Sequence, residues 1–165
     1  MDLDWIEEEF SLLKLGDVRV DKSGKEILRT LGAKPGLSIT QAFETHSEVN
    51  GCYEFFHNGK VTAEKILKPH KLATKKRIKF EPVILLPQDT SSFNYSTKLS
   101  IEEDLGNISG KNNQGLFLHP LIAITPERVN LGIVDAKIWA RKQRTEELTR
   151  KEIYALPIEE KERFR

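Results

Sequence analysis

Apolar residues recur at helical spacing through the first half of this chain, then run together or alternate through much of the second. Asp4-Trp5-Ile6-Glu7 has the form of a capping box, whose side chains satisfy amide groups that a helix start leaves unpaired. Ile6, Phe10 and Leu13 follow at helical steps until Gly16, which predicts a short acidic helix. A second helix is predicted from Asp17, with Val20, Ile27 and Leu31 on one face, closing at Gly32 with Pro35 beyond. Gly24 lies inside it and costs about 1 kcal/mol relative to alanine, so a break near Ser23-Gly24 stays open. Ser38-Ile39-Thr40-Gln41 is another capping box, and Ile39, Ala42, Phe43 and His46 continue the period. A helix over 47–59 is predicted with Val49, Cys52, Tyr53 and Phe56 as its inner face. Thr62-Ala63-Glu64 opens one more, and Pro69 reads as the first turn of a following helix through Arg77.

After Phe80 the pattern changes. Val83 to Leu86 form an apolar run that predicts a strand over 81–89 buried on both faces, followed by strands over 115–125 and 130–140. Pro126-Glu127-Arg128-Val129-Asn130 is short enough for a hairpin, so the last two strands are expected to be antiparallel neighbours. Residues 96–113 read as a polar loop that reaches over whatever Asp89 faces. The expected fold class is therefore α+β: an all-helical domain over 1–79, three antiparallel strands over 80–141, and a charged linker or tail over 142–165. Three strands of a larger sheet also leave an open edge.

Composition narrows this modestly. A chain of 165 residues with 38% hydrophobic positions supports a packed core and excludes disorder throughout. The net charge is only +1, so attraction to nucleic acid has to come from local clustering. The lone cysteine excludes an internal disulfide and argues for a reducing compartment. The acidic N-terminus lacks the features of a secretory signal, and no apolar run approaches the roughly 18 residues of a membrane span, so a cytoplasmic protein without a membrane partner is expected.

Candidate chemistry sits in three places. Asp89 ends the first apolar run. Read from the residues alone, it either holds a divalent metal, as a carboxylate at a strand end can, or turns the chain with Thr90 and Ser91. Lys65, Lys68, Lys71, Lys75, Lys76, Arg77 and Lys79 form the densest basic run, in which Lys68, Lys71, Lys75 and Lys79 fall at helical spacing. That stripe either tracks a phosphate backbone or is a solvated face with cations suited to a helix C-terminus. Arg19, Lys22, Lys25 and Arg29 offer a second basic face with the same two readings. The four histidines show no metal-pair spacing, Cys52 reads as a core thiol, and neither a serine-hydrolase elbow nor a Gly-rich phosphate loop occurs.

Longer strings carry a resemblance. Leu15-Gly16-Asp17-Val18-Arg19, Lys34-Pro35-Gly36-Leu37-Ser38-Ile39, Tyr53-Glu54-Phe55-Phe56-His57-Asn58 and Ile66-Leu67-Lys68-Pro69-His70 resemble the N-terminal DNA-binding domain of bacterial cut-and-paste transposases of the Tn-five and insertion-sequence-four lineage. Gln88-Asp89-Thr90, Gly115-Leu116-Phe117-Leu118-His119-Pro120 and Leu131-Gly132-Ile133-Val134-Asp135-Ala136 resemble the opening of that family's catalytic domain, in the family's order.

The resemblance implies a ribonuclease-H-like core whose Asp-Asp-Glu triad binds Mg²⁺ or Mn²⁺, and it places the first aspartate at Asp89. The second Asp and the Glu fall beyond the 165 residues, and Asp104, Asp135 and Glu146 do not sit where the pattern would put them. Two departures stand out: Ser23-Gly24 where the family is usually basic, and Pro87 in a strand expected to be central. The expected function is thus that of a transposase fragment that binds DNA, the terminal inverted repeats of a transposon, through Arg19, Lys22, Lys25, Lys65, Lys68, Lys71, Lys75 and Lys76, without catalysis of its own. The alternative is a non-catalytic DNA-binding or inhibitory protein whose partner is the full-length transposase or a second copy of the chain. A complete small metal-dependent nuclease is disfavoured by the carboxylate count.

Overall fold

The computed structural model describes residues 4–96, 104–109, 113–141 and 150–157. Helices come first and an antiparallel sheet follows, the α+β order that the hydrophobic pattern predicts. The chain forms two compact units, one of Met1–Leu86 with Ile122–Val134 and one of Pro87–Leu121 with Asp135–Arg165.

In the first unit, α1 (Trp5–Phe10) starts where Asp4 accepts a hydrogen bond from the Ile6 amide at 3.1 Å. In α2 (Val18–Ala33) Asp17 caps the Arg19 amide at 3.0 Å, and the helix runs unbroken through Gly24. A Cβ at Gly24 would come within 3.0 Å of the Phe55 ring and 3.3 Å of Leu13, so the glycine is where α2 lets an aromatic ring approach. The short α3 (Ile39–Ala42) is closed by Gln41 accepting from the Ser38 amide at 3.1 Å. Thr45 and Glu48 cap α4 (His46–His57) reciprocally, each side chain bonded to the other's amide at 3.2 and 2.9 Å.

Ile6, Phe10, Leu13, Leu15, Ile27, Cys52 and Phe55 make the core of this unit. Each large aliphatic or aromatic member contributes about 1.5–3 kcal/mol by leaving water. The inner face of α4 differs from the expected one: Phe55 is buried, whereas Tyr53 and Phe56 are each 43% exposed. The helix is turned so that Phe55 fills the space over Gly24, and Phe56 meets Phe55 edge-on at 5.2 Å.

Pro69 does not start a new helix. It lies inside a continuous α5 (Ala63–Ile78), capped by Thr62. An interior proline costs about 3 kcal/mol in an isolated helix. Here Pro69, Ala73 and Thr74 are all buried along one face, and that packing offsets the lost backbone bond.

Strands β1 (Ser91–Asn94), β2 (Gly106–Ser109), β3 (Asn113–Ile124) and β4 (Asn130–Trp139) form one antiparallel sheet in which β3 pairs with the other three. The β3–β4 hairpin forms as predicted, with Arg128 at φ 69° in its turn. The strand predicted over 81–89 does not: bridges Leu85↔Ile124 and Gln88↔Leu121 stand where it was expected, and β1 continues them in the same register. This line is an edge and not a buried centre, since Val83, Leu85 and Leu86 are 54%, 52% and 51% exposed. Pro87 supplies a reason, because a residue without an N–H is tolerated at sheet edges and not in the middle. β2 was not foreseen inside a polar stretch, and α6 (Arg150–Ala155) forms within the expected tail. The expected reach of the loop over Asp89 falls largely on 97–103 and 110–112, and much of the tail on 142–149 and 158–165, outside the described residues. In the second unit Phe117 stacks on Trp139 at 5.4 Å, with Arg141 over the Phe117 ring and Lys137 over Trp139.

Candidate nucleic-acid interface

Helix α1 is a short acidic strut whose carboxylates take up neighbouring cations. Asp4 pairs with Arg29 of α2, and both oxygens of Glu7 lie 3.0 Å from Lys25. Toward α5, Glu8 lies 3.1 Å from Arg77, while Glu9 reaches Arg77 at 2.5 Å and His70 at 2.7 Å. The Ile133 amide donates to His70 Nε2 at 3.0 Å, which leaves Nδ1–H to donate to Glu9. Arg77 also donates through Nε to the Leu131 carbonyl at 2.7 Å. Burial works against its charge, but the bonds to Glu9 and Glu8 outweigh that and raise its pKa. The hydrogen bond from Arg29 holds the Asp4 carboxyl below its ordinary value.

These contacts sort the candidate cations. Lys25 faces α1 and is engaged by Glu7. Arg19, at the start of α2, is 94% exposed, with only Asp17 nearby at 3.7 Å, and Lys22 is exposed one turn on. Along α5 the inner face is Pro69, His70, Ala73, Thr74 and Arg77, and the opposite face carries Lys68, Lys71 and Lys75, with Lys79 at its end. Lys65 and Lys76 flank that row; Lys65 donates to the Lys60 carbonyl at 2.8 Å. Lys68, Lys75, Lys76 and Lys79 are exposed and make no ion pair among the described residues.

A second surface was missed because it carries little charge. Phe43-Glu44-Thr45 link α3 to α4, and α2 packs against both. A short helix, a tight turn and a longer helix backed by a third is the arrangement by which helix-turn-helix modules offer their second helix to a groove. His46, Ser47, Asn50 and His57 are exposed on α4, with Asn50 and His46 joined at 3.2 Å. Polar residues at four-residue steps opposite Cys52 were the available signal.

Asp89 is exposed, and its Oδ1 accepts from the Thr90 amide at 2.7 Å. The Thr90 hydroxyl lies 2.7 Å from His119 Nδ1. Among the described residues no three His, Cys, Asp or Glu side chains gather as metal ligands. A two-metal centre needs several carboxylates, so the described donors do not fit one.

The fold is a helical module followed by an antiparallel sheet, and the helices carry a polar face on α4 and a basic face on α5. Residues 2–61 match the family model described as transposase DNA-binding. The chain is similar over that segment to the N-terminal domains of transposases, and the match supports DNA as its partner. The matched segment ends just before α5. Among the described residues no helix is long and apolar enough to cross a membrane.

Proposed function

We propose that this chain binds transposon-end DNA as the N-terminal part of a bacterial transposase of the Tn-five and insertion-sequence-four lineage. One observation carries the reading: the matched segment coincides with the helical core that turns the polar face of α4 outward. In it, His46, Ser47 and Asn50 face base edges, where an Asn amide can pair with adenine, and Arg19 and Lys22 take flanking phosphates. The sheet is read as the opening of a ribonuclease-H-like domain, with Asp89 as its first carboxylate. No cleavage by this chain alone is proposed, since Asp89 has no gathered partners among the described residues. For the same reason a non-catalytic role, occupying ends against an intact transposase or pairing with a second copy, is the second reading.

Selection from a randomised duplex library, followed by titration of the enriched and a scrambled duplex, tests this. An enriched motif found at both ends of the mobile element that encodes the chain, bound at least about a thousandfold more tightly than the scrambled duplex, is expected. Equal binding of both duplexes overturns it.

A further inference from the structure

The row Lys68, Lys71, Lys75 and Lys79 lies outside the matched segment and on a helix that packs on α1, whereas α3 and α4 pack on α2. We infer that the outer face of α5 is a second nucleic-acid surface, which binds the phosphate backbone of duplex DNA regardless of sequence. The partner's identity rests on the DNA-binding reading above.

Helix stability does not account for these lysines. Cations suit the last turn, where Lys75 and Lys76 lie, but Lys65 sits in the first turn, where the macrodipole disfavours it, and Lys68 and Lys71 are mid-helix, where it gives them nothing. Like charges three and four residues apart also repel along the row. Among the described residues Lys68, Lys75 and Lys79 make no ion pair. Glu8, Glu9 and the β4 backbone take up Arg77 and His70, and the sole acid of α5 is Glu64 in its first turn.

The row spans about 16 Å at 1.5 Å per residue, beside a duplex that carries one charge per about 1.7 Å of axis. Lysine ammoniums act as point charges on flexible stems, which suits phosphates in any register. Between Ala63 and Ile78 there is no Asn or Gln, and the sole Arg, Arg77, is turned inward, so the outer face offers neither the planar Arg fork nor the amides that pair with base edges.

The test is a chain in which Lys68, Lys71, Lys75 and Lys79 are all changed to Gln, compared with wild type and with Asn50→Ala. Affinity for the enriched and scrambled duplexes is measured across salt, and helical circular dichroism checks folding. Four lost phosphate contacts should lower the slope of log K against log salt by about 3–4 for both duplexes. Between about 50 and 200 mM salt that amounts to roughly a hundredfold smaller loss of affinity. The ratio between the duplexes should hold within about twofold, and Asn50→Ala should lower that ratio while sparing the slope. An unchanged slope overturns this inference alone. A ratio that collapses with the lysines also overturns it, by making α5 part of the same site. Absence of DNA binding by the wild type removes both readings.

Discussion

Gly132→Ala is the sharpest probe of how α5 is held with its lysines outward. Gly132 opens β4 at φ 122°, and a Cβ there would overlap Thr74 Oγ1 and approach Arg77 Nη2 and His70 Cε1 to 3.1 Å each. Thr74 is fully buried and has little room to move. The backbone conformation costs a side-chain-bearing residue about 1–3 kcal/mol. Overpacking against a buried helix face adds about 1–3 kcal/mol. Gly36→Ala is the control: its φ is 85° and nothing lies within 4 Å, so only the backbone cost applies. Both variants gain similarly from a less flexible unfolded chain, which cancels in the comparison.

Gly132→Ala should therefore be less stable than Gly36→Ala by about 1–3 kcal/mol. Urea unfolding followed by Trp5 fluorescence in a Trp139→Phe background reads this directly, because Trp5 is then the chain's one tryptophan and lies in the first unit. Thr74→Ala should relieve part of the penalty, giving a coupling of about 1 kcal/mol in the double-mutant cycle. Equal destabilisation by the two glycine replacements, or no coupling to Thr74, would refute the packing of β4 on α5.

Two further outcomes are expected. Asp4, held down by Arg29, Asp17 by the Arg19 amide and Glu48 by the Thr45 amide all have carboxyls below their ordinary values of 3.8, 3.8 and 4.5. Their contribution is fully present above those values and is lost as pH falls through the depressed folded ones, so urea midpoints should drop below about pH 4. Asp4→Asn with Glu48→Gln should flatten that drop, and an unchanged pH dependence in the double variant counts against it. Thr45→Ala removes one arm of the α4 capping box and should cost about 1 kcal/mol, with weaker discrimination between duplexes if α4 reads bases. Wild-type stability in that variant would sink the capping account.

Local chemistry made the helices legible. Asp4, Asp17, Ser38 and Thr62 stand at helix starts, as their side chains and spacing suggest, because capping involves only neighbours in sequence, whereas the Thr45 cap that starts α4 at His46 was not foreseen. The misreadings came where a distant partner decided the outcome. Pro69 stays within a helix because its face is buried, and the rotation of α4 follows from the space at Gly24. The run 83–86 looks like a central strand until Pro87 and the pairing with β3 place it at an edge. β2 has no alternating apolar pattern, and Gly106 fits there because a Cβ would collide with the Arg141 backbone.

The candidate site shows the same division. In sequence Lys25 and Lys22 are equivalent members of one basic face, and the packing of α1 separates them, since Glu7 reaches Lys25 and not Lys22. Arg77 belongs to the same basic run as Lys75 but stands off its helical row, and Glu8 and Glu9 take it up on the inner face. Charge spacing therefore says which cations share a helix, and the location of the acids says which remain free to meet a phosphate. A net charge of +1 conceals this, because the sum does not say where the acids lie, and Asp4, Glu7, Glu8 and Glu9 pair with inward cations of α2 and α5. The outer face of α5 is left with a local positive field that the whole-chain sum does not reveal, and a field of that kind acts on a partner within about a Debye length, roughly 8–10 Å at physiological salt. The sequence-independent binding proposed for α5 and the sequence reading proposed for α4 are then separable by salt, because only the first should scale with the count of outward lysines.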